Sequence, residues 1–368
     1  MDIMEPEESL LFPTSSFNET NLTSTRIVNL IESNLQTPLA TILLRTVSIF
    51  FAFVLIVTSN FVNLVVLPRT KCFGEVTRFL LRSLAMADLL IGVCMAFSVW
   101  PAITDNWPFG DVVCKIIGSS GSLLATASSL TLMCISVDRY LAVMKPLRYI
   151  TIVTVKRARC AVTAVWLVCF IYIAFVDTAT WPPLQNITYD PVLCNCIMKF
   201  FDGEVFPQAL GAAAVCVALP SVVITFANVK LLMVSIHHAK RIDAIPGNRK
   251  DGRRIPTREL KAIRTTLVIT GIYYIAWTPF LVTQIYTAVS SVAPADWLHY
   301  SSGYLVLSNS WWNVFIYSFM NKNFRKTLVD LFTRNCGHCK TSNEMQSHSS
   351  VASNCRVQFE DANSTQLS

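Results

Sequence analysis

The sequence predicts an all-α membrane protein: a bundle of seven transmembrane helices followed by a short amphipathic helix. The 368-residue chain is 53% hydrophobic and only 14% charged, whereas a soluble domain carries about 25% charged residues. Seven apolar stretches each approach or exceed the roughly 20 residues that a helix needs to cross a bilayer. The basic residues gather in alternate loops between those stretches, which is the charge pattern of a multi-pass membrane protein.

Residues 1–42 form a polar N-terminal tail with N-glycosylation sequons at Asn18 and Asn21. Two sequons ahead of a membrane span predict a glycosylated tail outside the cell. The first residues carry neither a basic segment nor an apolar core, so we expect no cleaved signal peptide. The first span would then direct membrane insertion.

The predicted seven-helix bundle occupies residues 43–320. Backbone polar groups find no partners in lipid, so each span must satisfy its own by forming a helix. The spans run approximately over 43–67, 77–101, 112–143, 160–180, 206–235, 262–290 and 297–320. A soluble helical domain is not expected to contain seven such runs.

Positive charge sets the predicted orientation. Lysine and arginine are concentrated between spans one and two, three and four, and five and six, and in the C-terminal tail, while Lys199 is the one basic residue of the alternate loops. The positive-inside rule then places the N-terminus outside and the C-terminus in the cytosol, so a third sequon, at Asn186, also lies outside. The net charge of +7 follows from this topology and gives no reason to expect nucleic-acid binding.

Residues 321–335 are predicted to form an amphipathic helix on the inner membrane surface. Apolar residues recur there at helical spacing with basic residues between them, and Cys336 and Cys339 follow as candidate palmitoylation sites. Residues 336–368 are predicted to be a disordered cytoplasmic tail. Phosphorylation of its serines and threonines would create an anionic docking segment for an arrestin-type partner.

The cysteines predict a disulfide and no metal centre. Cys114 begins span three on the outer side, where an oxidising environment favours a bond to the loop after span four. That loop offers two cysteines, Cys194 and Cys196. Their spacing is too tight for a usual zinc pair, and the Cys336–Cys339 pair has no second pair to complete a site.

Two charged positions in the apolar spans are candidate functional sites. Asp88 lies in the middle of span two, where an ionised carboxylate is costly unless it is protonated or accompanied. Asp138, Arg139 and Tyr140 lie at the inner end of span three. Charge at this boundary indicates either a solvated helix end or a moving part of the molecule.

The chain, over roughly residues 45–335, resembles the rhodopsin-like (class A) G-protein-coupled receptors, and amine receptors in particular. The resemblance consists of motifs that occur in the family's order. They are Asn63, Ser83–Asp88, Trp107–Gly110 before Cys114, Asp138–Val143 with Pro146–Tyr149, Trp166, Pro220, Trp277–Pro279 and Asn309–Tyr317. Each motif is weak alone, but the ordered set is specific.

The resemblance implies a role for each matched residue. It implies that Cys196 is the partner of Cys114. Glu259 matches the acid that pairs with Arg139 and holds spans three and six together, and Asn228 and Tyr317 match residues towards which that arginine turns on activation. Oxygen atoms around Asp88 would form an allosteric Na⁺ site, with Ser128, Asn309, Ser310 and Asn313 at the matching positions.

Three departures from the family pattern affect the expected switch. Val314 replaces the proline of span seven, Asn228 replaces a tyrosine of span five, and Tyr273 replaces a phenylalanine below Trp277. Pro279 next to Trp277 still predicts a kink in span six.

The predicted ligand pocket is apolar and uncharged. Amine receptors place an aspartate in span three where this chain has Gly121, and the outer part of that span contains no acid. The pocket residues we predict are Gly121, Ser122, Ala125, Trp277, Phe280, Leu281, Gln284 and His299, with His299 at the rim. They favour a neutral or lipophilic small ligand, or a peptide. Retinal is not expected, because the Schiff-base lysine position is Leu307.

These features predict a plasma-membrane receptor, not an enzyme, that couples an extracellular ligand to a heterotrimeric G protein. The basic loop between spans five and six would meet the G protein, but it does not identify the subtype. Two alternatives remain open: a non-signalling decoy receptor of the same fold, which Val314 and Asn228 allow, and a transporter. A transporter would show repeated halves, broken helices or several embedded charges.

Overall fold

A computed structural model describes residues 39–70, 73–178, 187–198, 217–243, 257–290 and 292–335. The helices are α1 (Leu39–Val66), α2 (Glu75–Thr104), α3 (Gly110–Met144), α4 (Pro146–Ile152), α5 (Val155–Thr178), α6 (Leu219–Asp243), α7 (Thr257–Ser290), α8 (Asp296–Met320) and α9 (Lys322–Asn335). The predicted spans correspond to α1, α2, α3, α5, α6, α7 and α8. Strands β1 (Ile187–Asp190) and β2 (Asn195–Met198) form an antiparallel hairpin after α5.

Within the described ranges, the six helices α1, α2, α3, α5, α6 and α7 are long and apolar enough to cross a membrane. The last helix of the bundle, α8, has 25 residues and a more polar composition, because hydroxyl and amide side chains line its buried face. Ser302, Ser308, Ser310 and Asn313 are among them. The predicted fold class, a seven-helix bundle with a short further helix, is confirmed.

The helices bury a core and leave large apolar side chains on the outside. Ile56, Leu84 and Ile224 are among the residues buried between helices, whereas Leu44 and Ile171 are each 69% exposed. In water such exposure would be unfavourable, but on a transmembrane helix these side chains face lipid, which is as apolar as they are. The exposed apolar surface therefore marks the lipid-facing side of the bundle.

The helix α9 is anchored to α8 through aromatic rings. Phe324 is fully buried, and its ring centroid lies 5.7 Å from that of Tyr317 in α8. The ring of Tyr317 also packs at 5.8 Å against Phe73, which precedes α2. Lys322 and Arg325 are exposed, so α9 has the basic outer face and apolar inner face that the sequence predicts.

Candidate functional site

The C-terminal end of α3, predicted to face the cytosol, contains a buried network centred on Asp138. This carboxylate is 3% exposed and accepts hydrogen bonds on both oxygens. Its Oδ2 accepts Arg139 Nε at 3.1 Å, Arg139 Nη2 at 2.6 Å and Thr77 Oγ1 at 2.8 Å. Its Oδ1 accepts the Tyr149 hydroxyl at 2.6 Å. The guanidinium of Arg139 also donates to Thr77 Oγ1, so α2, α3 and α4 meet at one charge pair.

Tyr149 and Thr77 are functional candidates that the sequence reasoning did not assign. Tyr149 belongs to a quoted motif, and its pKa is raised by burial and then by the hydrogen bond to the Asp138 carboxylate. The phenol therefore remains protonated and can donate at neutral pH. Thr77, one turn into α2, gave no sequence signal beyond its position at the cytosolic end of span two.

The predicted partner of Arg139, Glu259, belongs to the first turn of α7, and its side chain lies outside the described residues. The ion pair between them therefore stays a prediction. The side-chain hydrogen bonds that the structure gives to Arg139 lead to Asp138 and Thr77, on the α2 side of the bundle. Tyr140 packs its ring against Phe226 of α6, with 5.7 Å between centroids.

Asn228, predicted as a contact of Arg139, bonds across to α7 in this structure. Its Nδ2 donates to Thr270 Oγ1 at 3.0 Å, and both side chains are buried. Tyr317 is also buried, and its hydroxyl has no hydrogen-bond partner. The contacts that the structure gives to these two residues are therefore with other partners than Arg139: Asn228 bonds to Thr270, and the Tyr317 ring packs against Phe73 and Phe324.

A second polar site surrounds Asp88 in the middle of α2. This residue is fully buried. Its Oδ1 accepts Ser128 Oγ at 3.0 Å, and its Oδ2 accepts Asn313 Nδ2 at 3.1 Å. The structure therefore brings three of the predicted sodium-site residues together from α2, α3 and α8.

The asparagine of α1 that reaches this region is Asn60. Its Nδ2 donates to the backbone oxygen of Ser310 at 2.8 Å, and its buried Oδ1 has no hydrogen-bond partner. Sequence analysis named Asn63 as the motif residue of span one. Asn63 is buried as well, but the hydrogen bond from α1 to α8 is made by Asn60.

The residues around Asp88 fit a sodium ion chemically. Carboxylate, hydroxyl and amide oxygens are the ligands of a hard cation, and Asn60 Oδ1 adds a buried acceptor without a donor. Among the described residues, no group of three or more His, Cys, Asp or Glu side chains could hold a metal ion. A sodium site would therefore depend on Asp88 with neutral oxygen donors.

The hairpin of β1 and β2, predicted to be extracellular, is fixed to the bundle by a disulfide and by a contact between an aspartate and a histidine. Cys114 and Cys196 form the disulfide, as predicted. Asp190, at the end of β1, lies 3.0 Å from Nε2 of His299 in α8. Its other oxygen accepts the backbone N–H groups of Val192 and Leu193, both at 2.9 Å. His299, predicted at the pocket rim, thus holds the hairpin.

The predicted pocket residues share an intermediate burial. Gly121, Ser122, Ala125, Trp277, Phe280, Leu281, Gln284 and His299 are all half-buried. Among the described residues, nothing lies within 4 Å of a Cβ atom built on Gly121, so these residues leave open space at the position where amine receptors have an aspartate. The ring of Trp277 packs 6.0 Å from Tyr273, and its Nε1 has no hydrogen-bond partner.

Several predicted positions lie outside the described residues. They are the sequons at Asn18, Asn21 and Asn186 and the cysteines Cys336 and Cys339. Glycosylation and palmitoylation there remain predictions.

A seven-helix bundle with a disulfide-fixed outer hairpin and a buried arginine network at its inner end defines a membrane receptor of the heptahelical class. The sequence profile described as "7 transmembrane receptor (rhodopsin family)" matches residues 59–317. The chain belongs to this family. It is a multi-pass plasma-membrane receptor of amine-receptor type, and its family is not enzymatic.

Known proteins similar to this chain include several amine receptors. Human trace amine-associated receptor 9 is 29% identical over 76% of this chain and 81% of its own. Human histamine H2 receptor is 28% identical over 84% of each chain. Rat 5-hydroxytryptamine receptor 4 is 30% identical over 76% of this chain and 74% of its own. Squid rhodopsin shares the fold, with a TM-score of 0.69 at 19% identity over 84% of this chain and 90% of its own.

Proposed function

We propose that this receptor binds a neutral or lipophilic extracellular ligand, or a peptide, and activates a heterotrimeric G protein from its cytosolic face. The observation that carries the proposal is the network of Arg139, Asp138 and Thr77. It holds a guanidinium at the inner end of the bundle in a geometry that a small helix movement would release. Ligand binding would act as a population shift between the state described here and one in which Arg139 is free.

The ligand class follows from the pocket and not from the names of the relatives. Those relatives are named for trace amines, histamine and 5-hydroxytryptamine. This chain has Gly121 at the amine-anchoring position, with open space around it. A ligand ammonium would find no carboxylate there, and its desolvation would go uncompensated. Covalently bound retinal is not expected either, because Leu307 stands at the lysine position.

The receptor would also bind a sodium ion inside the bundle and an arrestin-type protein at its tail. A sodium ion would be held by oxygens of Asp88, Ser128 and Ser310, with Asn309 and Asn313 beside them, and would favour the inactive packing of α2, α3 and α8. An arrestin-type protein would bind the C-terminal tail after phosphorylation, and palmitoylation would attach the segment after α9 to the membrane.

The rival within the same fold is a receptor that binds ligand without signalling. Two observations favour it: Asn228 is engaged with Thr270, and Val314 replaces a helix-bending proline. In that case the bundle would bind ligand while the cytosolic end stays closed.

The deciding experiment is guanine-nucleotide exchange measured with a panel of G proteins in membranes that contain the receptor. We expect basal or ligand-stimulated exchange with at least one G protein, and loss of it in Arg139→Ala. Arg148→Ala, which removes an exposed arginine nearby, is the matched control. Absence of exchange with every G protein despite surface expression would favour the non-signalling receptor.

A further inference from the structure

The tip of the extracellular hairpin reaches into the helix bundle. Cys194, between the two strands, is fully buried. It belongs to an apolar cluster with residues of α1, α2 and α8, among them Ile49, Ala102 and Trp311. A loop on a protein surface normally keeps its turn in water. This turn instead completes part of the core.

Two helical glycines make room for the hairpin. A Cβ atom on Gly303 of α8 would lie 2.6 Å from Cδ2 of Leu193, and one on Gly118 of α3 would lie under 3.0 Å from Ile187. Atoms this close cannot coexist unless the Leu193 or Ile187 side chain moves, so the absence of a side chain at each glycine lets these residues of the hairpin pack against the helices. By contrast, a Cβ on Gly121 would meet nothing within 4 Å.

Three attachments fix the hairpin in this position. The disulfide joins Cys196 to α3, a hydrogen bond joins Asp190 to His299 of α8, and the apolar cluster around Cys194 joins the tip to α1 and α2. Two of these attachments hold the tip of the hairpin against α1, α2 and α8, and the disulfide holds its second strand against α3.

We infer that Leu193 and Cys194 are a built-in occupant of the half of the extracellular cavity between α1, α2 and α8. An external ligand is then admitted only to the other half, on the side of α3 where Gly121 lies. This inference rests on the proposed function as a ligand receptor and specifies which part of the cavity determines ligand size. Leu193 and Gly303 are the specificity-determining pair, because they exclude the ligand from α8.

The test uses Cys194 as a native reporter, probed in intact cells with a membrane-impermeant maleimide. In the wild-type receptor we expect labelling at the background level of Cys194→Ser. Gly303→Val should displace Leu193 and raise the labelling rate of Cys194 at least tenfold, and the double variant Gly303→Val with Leu193→Ala should restore protection. Gly271→Ala is the matched control, because a Cβ on that helical glycine meets nothing within 4 Å.

A second arm tests the open half of the cavity. In a Cys194→Ser background, Gly121→Cys should be labelled rapidly without any displacement of the hairpin. Rapid labelling of wild-type Cys194 would overturn the inference, and so would protection of Gly121→Cys, because the hairpin would then cover the whole entrance. Failure of Leu193→Ala to restore protection would also overturn it. None of these readouts requires a G protein. The labelling therefore tests whether the hairpin fills this half of the cavity even in a receptor that does not signal.

Discussion

The hydroxyl of Tyr149 donates a 2.6 Å hydrogen bond to the carboxylate of Asp138, and this bond attaches the short helix α4 to the end of α3. The same carboxylate holds Arg139. The loop that follows α3 and the arginine at its end are therefore fixed by one buried acid, which accepts from three different side chains.

Tyr149→Phe should raise basal nucleotide exchange. The change removes one donor to the buried Asp138 and frees α4, while the aromatic ring remains. A hydrogen bond to a charged group contributes about 1.5–3 kcal/mol, so we expect an increase of up to roughly ten- to a hundredfold. Tyr286→Phe, at a tyrosine that is 51% exposed in α7, is the control. An unchanged baseline in Tyr149→Phe would show that α4 does not restrain Arg139.

Glu259→Ala should also raise basal exchange, because it removes the acid predicted to hold Arg139 from α7. Thr77→Val removes the described contact from α2. If the two contacts restrain Arg139 independently, their effects on the free energy of activation should add in the double variant. An effect of Thr77→Val together with none of Glu259→Ala would assign the restraint to α2 alone.

Asp88→Asn should abolish any dependence of basal exchange on sodium. The carboxylate is the one charged ligand of the proposed site, and an amide in its place supplies no negative charge to the cation. The measurement compares exchange in sodium chloride with exchange in choline chloride at equal ionic strength. Asp296→Asn, at an exposed acid of α8, should leave the dependence intact. A wild-type receptor that is insensitive to sodium would contradict the site.

Asp190→Asn should lower the melting temperature of the purified receptor at neutral pH. Burial alone would raise the pKa of Asp190, but hydrogen bonds from His299 and from the backbone N–H groups of Leu193 and Val192 outweigh it and hold the pKa below its usual range. A carboxyl with a lowered pKa stabilises the fold above its unfolded pKa of about 3.9 and loses that contribution as the pH falls through the folded value.

The difference in melting temperature between the wild type and Asp190→Asn should therefore persist from pH 7 to pH 5 and shrink below pH 4. We expect a shift of about 2–4 °C for each kcal/mol lost. Asp111→Asn, which removes an exposed pair with Lys115 one turn along α3, should produce a much smaller shift. A difference that vanished already between pH 7 and pH 5 would show that another group governs the contact.

The long elements of the fold could be predicted from the sequence, because a transmembrane helix is a local feature of composition and length. Apart from the disulfide and the polar cluster at Asp88, which the family resemblance implied, the contacts between elements could not. Asn60 and Asn63 are less than one helical turn apart and differ little in sequence context, and only the rotation of α1 decides which of them faces α8. Thr77 and Tyr149 reach Asp138 from separate elements, so no spacing along the chain predicts their meeting.

The packing of the hairpin against the helices could not be predicted from the sequence either. The disulfide could be inferred from motif positions, but Gly118 and Gly303 lie far apart in sequence, and their meaning depends on Ile187 and Leu193 lying above them. A glycine in a transmembrane helix is too common to predict a docked loop by itself.

The edge-on contact between the rings of Tyr317 and Phe324 connects the end of α8 to α9, the helix predicted to lie on the inner membrane surface. The exposed Lys322 and Arg325 of α9 are expected to face the lipid headgroups, while its buried Phe324 supports the last turn of α8. A thinner or more anionic inner leaflet that draws α9 sideways would pull on Tyr317. A change in the depth of α9 in the leaflet is therefore expected to move the inner end of α8 as well, so that the lipids and the protein together set its position.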